Sequence, residues 1–364
     1  MSTPSLKITV VGPMHGGSLS IARFATRALV RLGHAVTFVD NSVFGGALAA
    51  LRVFDGNRTE SDGYHAVLTG VAQATSARNV ERSQPDLVLY LAQAPVRSAD
   101  LRRISDGPVT TVFWFVEDFR TFPYWSTVAG SVDHFWTLQE GEFEQALRTK
   151  GQRVVDWVPL ACEPGVHHPY APDATTAWAS EVSFAGAGYP NRHRVLAALL
   201  DLGPRIFGTH WKDDAVLAPY VGNDGELSSV DLAHIFSATK VNLNIWSSVF
   251  HDGLAEKKDF VNPRTFEICA CGGFQLADAS APVERFFEPG VELVTFGSID
   301  EARDKARYFL RHDAERAAIA ERGRLRAHAE HTYDQRLAGA LGRVWERTEK
   351  LQRRVVDRGG RPHA

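Results

Sequence analysis

The sequence predicts an α/β chain of two tandem domains, each a parallel sheet covered by helices, and three observations predict it. Short, continuously apolar, β-branched runs alternate with amphipathic segments of helical length, the pattern of strands buried on both faces. At 364 residues the chain exceeds the size at which a single hydrophobic core keeps growing. A proline-rich stretch, EPGVHHPYAPDATTAW, interrupts the alternation, which then restarts. The expected division is a first domain over 1–162, a linker over 163–178, a second domain over 179–332, and a C-terminal helix and tail over 333–364.

In the first half, Lys7–Val11 reads as a strand, and the helix-period residues of Leu19–Leu32 stop at Gly33, a C-cap residue. Ala35–Val39 is the next strand. A Gly-rich loop and a helix over Tyr64–Val80 follow, then strands at Leu87–Leu91 and Val109–Val116. His134–Leu138 and Val154–Val158 flank a helix at Glu140–Lys150. The second half begins with the strand EVSFAG, a helix over Arg192–Leu202, and a strand at Arg205–Phe207 ending at Gly208. Helix Val230–Ala238, strand Lys240–Ile245, helix Pro263–Ala270 and strand Phe274–Ala277 complete its core. Helices at Ile299–His312 and Ala314–Glu330 close it, and the Arg-rich Leu337–Val355 is a further amphipathic helix, expected to pack back on the first domain. Open α/β sheets bind ligands outside the carboxyl ends of their strands, so a ligand cleft is expected between those ends of the two sheets.

Composition narrows the function. Forty basic against 43 acidic residues give a net charge of −3, which argues against nucleic acid as a partner and gives no footprint of an anionic-membrane binder. Cys162, Cys269 and Cys271 lack the spacing of a zinc or redox motif and read as small buried hydrophobes in a reducing compartment. No basic segment followed by an apolar one opens the chain, and the charge-free run Gly63 to Ala77 is too short and polar for a transmembrane segment. The expectation is a soluble cytoplasmic protein, in which the Asn57-Arg58-Thr59 sequon has no meaning.

The most informative stretch for chemistry is DFVNPRTFEICACGGFQLAD, Asp259–Asp278. Asn262 suits an N-cap and Pro263 the first helical position. Arg264 then falls in the first turn, where it makes an anion site able to hold a diphosphate, and Glu267 follows on the same face. A carboxylate there can accept both hydroxyls of a ribose; the alternative is a capped helix whose Glu complements the dipole. The loop Gly12-Pro-Met-His15-Gly16-Gly17-Ser18 lets backbone approach a ligand ahead of a helix N-terminus, or is an ordinary βα turn. Glu117-Asp118 ends an apolar strand and supplies two carboxylates, a candidate general base or a turn cap, and His15 is a weaker candidate for the same work. Gly186-Ala-Gly188-Tyr-Pro-Asn191 imitates a dinucleotide fingerprint, but Asn191 replaces its third glycine, which argues against a nicotinamide site. His167-His168 reads as solvated linker. No D-x-D, H-E-x-x-H, G-x-S-x-G or Walker A pattern is present.

Asn262-x-Arg264-x-x-Glu267 followed by Ala270-Cys271-Gly272-Gly273 resembles the core motif of the CgeB-like (spore maturation protein) glycosyltransferases. Phe184-Ala-Gly186 with Tyr189 and Arg192, Ile206-Phe-Gly208-x-x-Trp211, Lys240-Val-Asn242-Leu-Asn244 and Glu330-His331-Thr332-Tyr333 resemble further family segments in order. In the first half, Gln84-Pro85-Asp86, Trp114-Phe-x-Glu117-Asp118 and Trp157-x-Pro159 do the same. The resemblance implies the GT-B fold, two Rossmann-like domains with the donor held mainly by the second. It assigns the ribose to Glu267 and the donor phosphates to Arg264 and Arg192, with Gly16, Gly17, Gly186, Gly208, Lys240 and Asn262 around the donor. Related enzymes place a Glu where this chain has Asp259. The implied reaction is metal-independent, cofactor-free transfer from a nucleotide diphosphate sugar, with retention, to an acceptor that is a saccharide, a small molecule or a protein. An epimerase or hydrolase on the same fold, and a non-catalytic two-lobed binding protein, are the alternatives. Base selection is expected near Phe207–Trp211.

Overall fold

The computed structural model describes residues 3–51, 58–256 and 258–359; Asn57 of the sequon lies outside them. The chain forms two compact units, Met1–Pro159 with Tyr333–Ala364, and Leu160–Thr332.

In the first unit the chain runs β1 (Lys7–Val11), α1 (Gly17–Arg31), β2 (Ala35–Val39), α2 (Ser42–Leu51), α3 (Arg58–Ser83) and β3 (Leu87–Leu91). It continues through α4 (Ser98–Ser105), β4 (Thr110–Phe115), α5 (Trp125–Val128), β5 (His134–Thr137), α6 (Glu142–Thr149) and β6 (Val154–Trp157). The six strands pair in parallel in the order β2-β1-β3-β4-β5-β6. Every residue of β3, β4 and β5 is buried, as a sheet covered on both faces requires. Phe115, Phe119, Phe135 and Phe143 pack together on one face, with Phe119 and Phe143 stacked at 4.5 Å. The expected Gly-rich loop after β2 is helical: Gly45 of α2 lies so close to the Met14 carbonyl oxygen that a Cβ would meet it at 2.2 Å.

In the second unit the order is α7 (Pro172–Thr175), β7 (Ser180–Ala185), α8 (Pro190–Ala197), β8 (Arg205–Gly208), β9 (Val221–Asp224), α9 (Ser229–Ala238) and β10 (Thr239–Asn244). Then come α10 (Arg264–Ala270), β11 (Gln275–Asp278), β12 (Val294–Phe296), α11 (Ile299–Arg311) and α12 (Asp313–Glu330). Its sheet, β12-β11-β10-β7-β8-β9, is the doubly wound Rossmann order. The edge strands β9 and β12, four and three residues long, carry too little pattern to be read from sequence. Residues 163–178 are not a solvated tether. Glu163, Val166 and His167 are buried, the Tyr170 amide bonds Ser237 Oγ, and Cys162 pairs with Thr332 to tie the two ends of this unit together.

The chain finishes in the first unit with α13 (Tyr333–Arg347) and α14 (Glu349–Gly359). As expected for a helix packed back on the first domain, Arg343 and Arg347 reach the buried Asp156 of β6, and Arg354 and Arg358 reach Asp86 at the start of β3. Among the described residues no helix is long and apolar enough to cross a membrane.

Candidate active site

A parallel sheet offers a ligand the carboxyl ends of its strands, at the point where the strand order reverses. In the second unit that point lies between β7 and β10. Beyond β7 the chain turns at Gly186, whose amide donates to Phe207 O at 2.9 Å and whose carbonyl accepts the Trp211 indole N–H at 2.9 Å. Gly208, at φ +127°, packs against this turn; a Cβ there would lie 2.2 Å from Gly186 O. Its glycine character therefore serves the packing of two turns. Phe207 and Trp211 of the expected base-selecting segment are fully buried, so neither offers its ring face to a base.

Arg192, assigned to the phosphates, is otherwise engaged. Its Nε and Nη2 donate to Ile245 O at 3.0 and 2.8 Å, and its Nη1 to Ala187 O at 3.0 Å. The guanidinium thus bridges the turn after β7 to the end of β10, over the ring of Phe184. Burial, set against nearby Tyr189 and reinforced by the charge of Arg264, brings its pKa down to about 10. Asn191 explains its own departure from the glycine fingerprint. Its side-chain amide donates to Trp246 O and Gly253 O and accepts from the Ser248 amide, pinning the loop that follows β10.

Arg264 and Glu267 are together at the start of α10, bonded to one another through Arg264 Nη1 and Glu267 Oε2. Arg264 Nε also donates to Ala185 O, at the end of β7, at 3.3 Å. The Glu267 side chain is 7% exposed and that of Arg264 24%, so the pair sits at the rim with the carboxylate inward. Asn262 caps the helix: its Oδ1 accepts from the Thr265 amide at 3.2 Å, and its Nδ2 donates to Asn244 Oδ1 at 2.8 Å. Asn244 continues the ladder to Gln275. Asn242 and Asn244 are both buried and hydrogen-bonded, Asn242 to Phe236 O and Asn244 to Thr265. Asp259 lies half-buried in the loop between β10 and α10.

Lys240 is a correction. It stands at the amino end of β10, exposed, with Nζ 3.0 Å from Glu181 at the amino end of β7. Strand direction puts it at the opposite end of the sheet from Arg264. His167 is a residue that sequence reasoning missed. Its ring is buried, its Nδ1 accepts the Glu163 amide N–H at 3.0 Å, and its Nε2 lies 3.9 Å from Glu267 Oε1.

The order of the first unit's sheet reverses between β1 and β3. There the turn after β1 leads into α1 through Gly16 at φ +84°, which bears no side-chain cap, and His15 and Gly17 are exposed. Beyond β3 and β4 stand Gln93 and Glu117. Gln93 Nε2 donates to Glu117 Oε1 and the Tyr124 hydroxyl to Glu117 Oε2, both at 2.5 Å, while Tyr124 accepts the Gln93 amide at 3.0 Å. Burial raises the pKa of Glu117, and the two hydrogen bonds work against that rise. Gln93 holds the left-handed backbone, φ +62°, which costs a non-glycine residue. Asp118 does the turn-cap work instead: its Oδ1 accepts the Arg120 amide and its carbonyl those of Thr121 and Phe122. A polar residue directly after a continuous apolar strand was the available signal for Gln93; Tyr124 offered none.

Two doubly wound parallel sheets in one chain, each with polar residues at its switch point, define a GT-B architecture. Residues 192–342 match the family described as "Glycosyl transferase-like". The chain is 23% identical over 266 residues to the spore protein CgeB of Bacillus subtilis, covering 68% of this chain and 79% of that one. Among solved structures it resembles Anabaena HepE in complex with UDP and glucose, with TM-score 0.61, 12% identity and coverage of 93% and 99%. A putative UDP-N-acetylglucosamine 2-epimerase from Listeria monocytogenes shares the fold at TM-score 0.54, 11% identity and coverage of 96% and 98%. The chain thus has the two-domain α/β fold of these structures, and its residues 192–342 resemble the glycosyl transferase-like family.

Proposed function

We propose that the chain transfers a glycosyl group from a nucleoside diphosphate sugar to an acceptor, with retention at the anomeric carbon and without a metal ion. The pair Arg264–Glu267 at the switch point of the second sheet carries this reading. A cation and an inward carboxylate three residues apart match the two ends of a ribose diphosphate. HepE, which shares the fold, is a complex with UDP and glucose. In the reaction an acceptor oxygen bonds to the anomeric carbon as the bond from that carbon to the diphosphate oxygen breaks. The electron pair leaves with the diphosphate, the acceptor proton passes to it, and Arg264 stabilises the charge. Glu117, with both carboxylate oxygens fixed, orients the acceptor hydroxyl. Work in a reducing, cytoplasmic compartment fits three buried, unpaired cysteines.

The test is a thermal-shift panel of UDP-, GDP-, dTDP- and CDP-sugars with and without EDTA. A donor at 100 times its dissociation constant adds about 2.7 kcal/mol. One EDTA-insensitive shift, absent in Arg264→Ala, supports the reading, and an undiminished shift in that variant overturns the site. Donor consumed without acceptor makes the chain an epimerase or hydrolase.

A further inference from the structure

We infer that His167 is a positioning residue for the donor, held in one tautomer so that its Nε2–H takes over Glu267 when Arg264 turns to a phosphate. The inference rests on the donor site proposed above. Glu163 N–H is a donor and can only be met by a bare ring nitrogen, so Nδ1, 3.0 Å away, carries no hydrogen. In the neutral ring the hydrogen is therefore on Nε2, the atom that faces Glu267 Oε1. Burial keeps the ring neutral: it lowers the pKa, reinforced by the charge of Arg264 and opposed by that of Glu267, to about 4.

At 3.9 Å the contact is too long for a hydrogen bond. In this state Glu267 has Arg264, whose Nη1 bonds its Oε2. A diphosphate would compete for that guanidinium, and a carboxylate buried as deeply as Glu267 pays heavily for losing its partner. His167 stands on the side away from Arg264 in the hydrogen-bond pattern, on Oε1 where Arg264 uses Oε2, and a shift of about 1 Å brings Nε2–H into range. The arrangement keeps Glu267 hydrogen-bonded and aimed while it accepts the ribose hydroxyls.

Two isosteres separate the roles of the ring. His167→Asn keeps an acceptor for Glu163 N–H but cannot reach Glu267; His167→Gln places an N–H where Nε2 was. The probes are UDP, GDP, dTDP and CDP, and the 2′,3′-dideoxy form of whichever binds the parent. By calorimetry the parent should prefer the ribose form by about ten-fold or more. Most of that preference should vanish in His167→Asn and persist in His167→Gln. Imidazole ¹⁵N spectra of the parent give a reading independent of any variant: a protonated Nε2 whose hydrogen resonance moves downfield on adding the nucleotide. An unaltered preference in His167→Asn, or an unmoved Nε2–H resonance, overturns the role of His167 while leaving the donor site standing. A parent that does not distinguish ribose from dideoxyribose overturns both.

Discussion

The two units meet the same problem, a βα turn at the head of a doubly wound sheet, with opposite solutions. In the first unit the turn after β1 ends in two glycines: nothing lies within 4 Å of where a Cβ of Gly17 would stand, and only Gln93 Oε1, at 3.5 Å, approaches that of Gly16. In the second the corresponding turn after β7 is filled by the chain itself: Arg192 takes the Ala187 carbonyl, Trp211 takes that of Gly186, and the Gly188 amide is spent on Thr209 O. The polar work of that unit is displaced to the far side of the switch point, onto Arg264 and Glu267 after β10. A glycine-rich turn is thus a vacancy only when no neighbouring side chain is long enough to take its hydrogen bonds. Arg192 is, and it converts a place for a ligand into a clamp between β7 and β10.

If the two units divide the labour this way, damage to each should have a different signature. Glu117→Ala should lower turnover by about 10²-fold while leaving donor affinity near the parent's. Arg264→Ala should instead weaken donor binding by about 10- to 150-fold. Steady-state kinetics together with calorimetry resolve the two, and equal losses of binding would end the comparison. Gly208→Ala should cost about 2–4 kcal/mol of unfolding free energy, read by denaturant titration, because the new Cβ meets Gly186 O at a positive φ. Tyr124→Phe removes a hydrogen bond that favours the charged form of Glu117. The pKa of Glu117 should rise further, moving the acidic limb of the rate profile up by about one pH unit. An unmoved limb would detach Glu117 from the reaction.

What could be read from sequence follows from how each feature is encoded. Periodicity writes strands and helices locally, so β1, β2 and β3 fall at their expected residues. α2 was hidden because SVFGGALAAL carries two glycines and no helical stripe; its fit against the Met14 carbonyl is a tertiary fact. At the site, Arg264 and Glu267 are three residues apart and could be paired by helix geometry alone. The bonds and packing of Arg192, Asn262 and Gly208 could not be read locally, since their partners, Ile245, Asn244 and Gly186, lie far away in sequence. Lys240 failed for a simpler reason: a motif carries residue identity but not the end of the strand at which each residue sits.

The last contrast lies within the salt links and is the smallest in effect. Asp156 is buried, which alone would raise its pKa, but His134, Arg347 and Arg343 outweigh burial and hold it below the ordinary carboxylate value. A depressed folded-state pKa stabilises the protein above the unfolded pKa of about 4 and loses that contribution as pH falls through the folded value. Asp156→Asn should remove on the order of 1–3 kcal/mol at pH 7 and flatten the acid side of the stability curve. Lys240 and Glu181 form an exposed pair, with side chains 45% and 67% accessible. Such pairs gain little over water, so Lys240→Ala should leave melting temperature, donor affinity and turnover at parental values. A loss of donor binding in that variant would return Lys240 to the phosphates, and with it the strand direction on which the site rests.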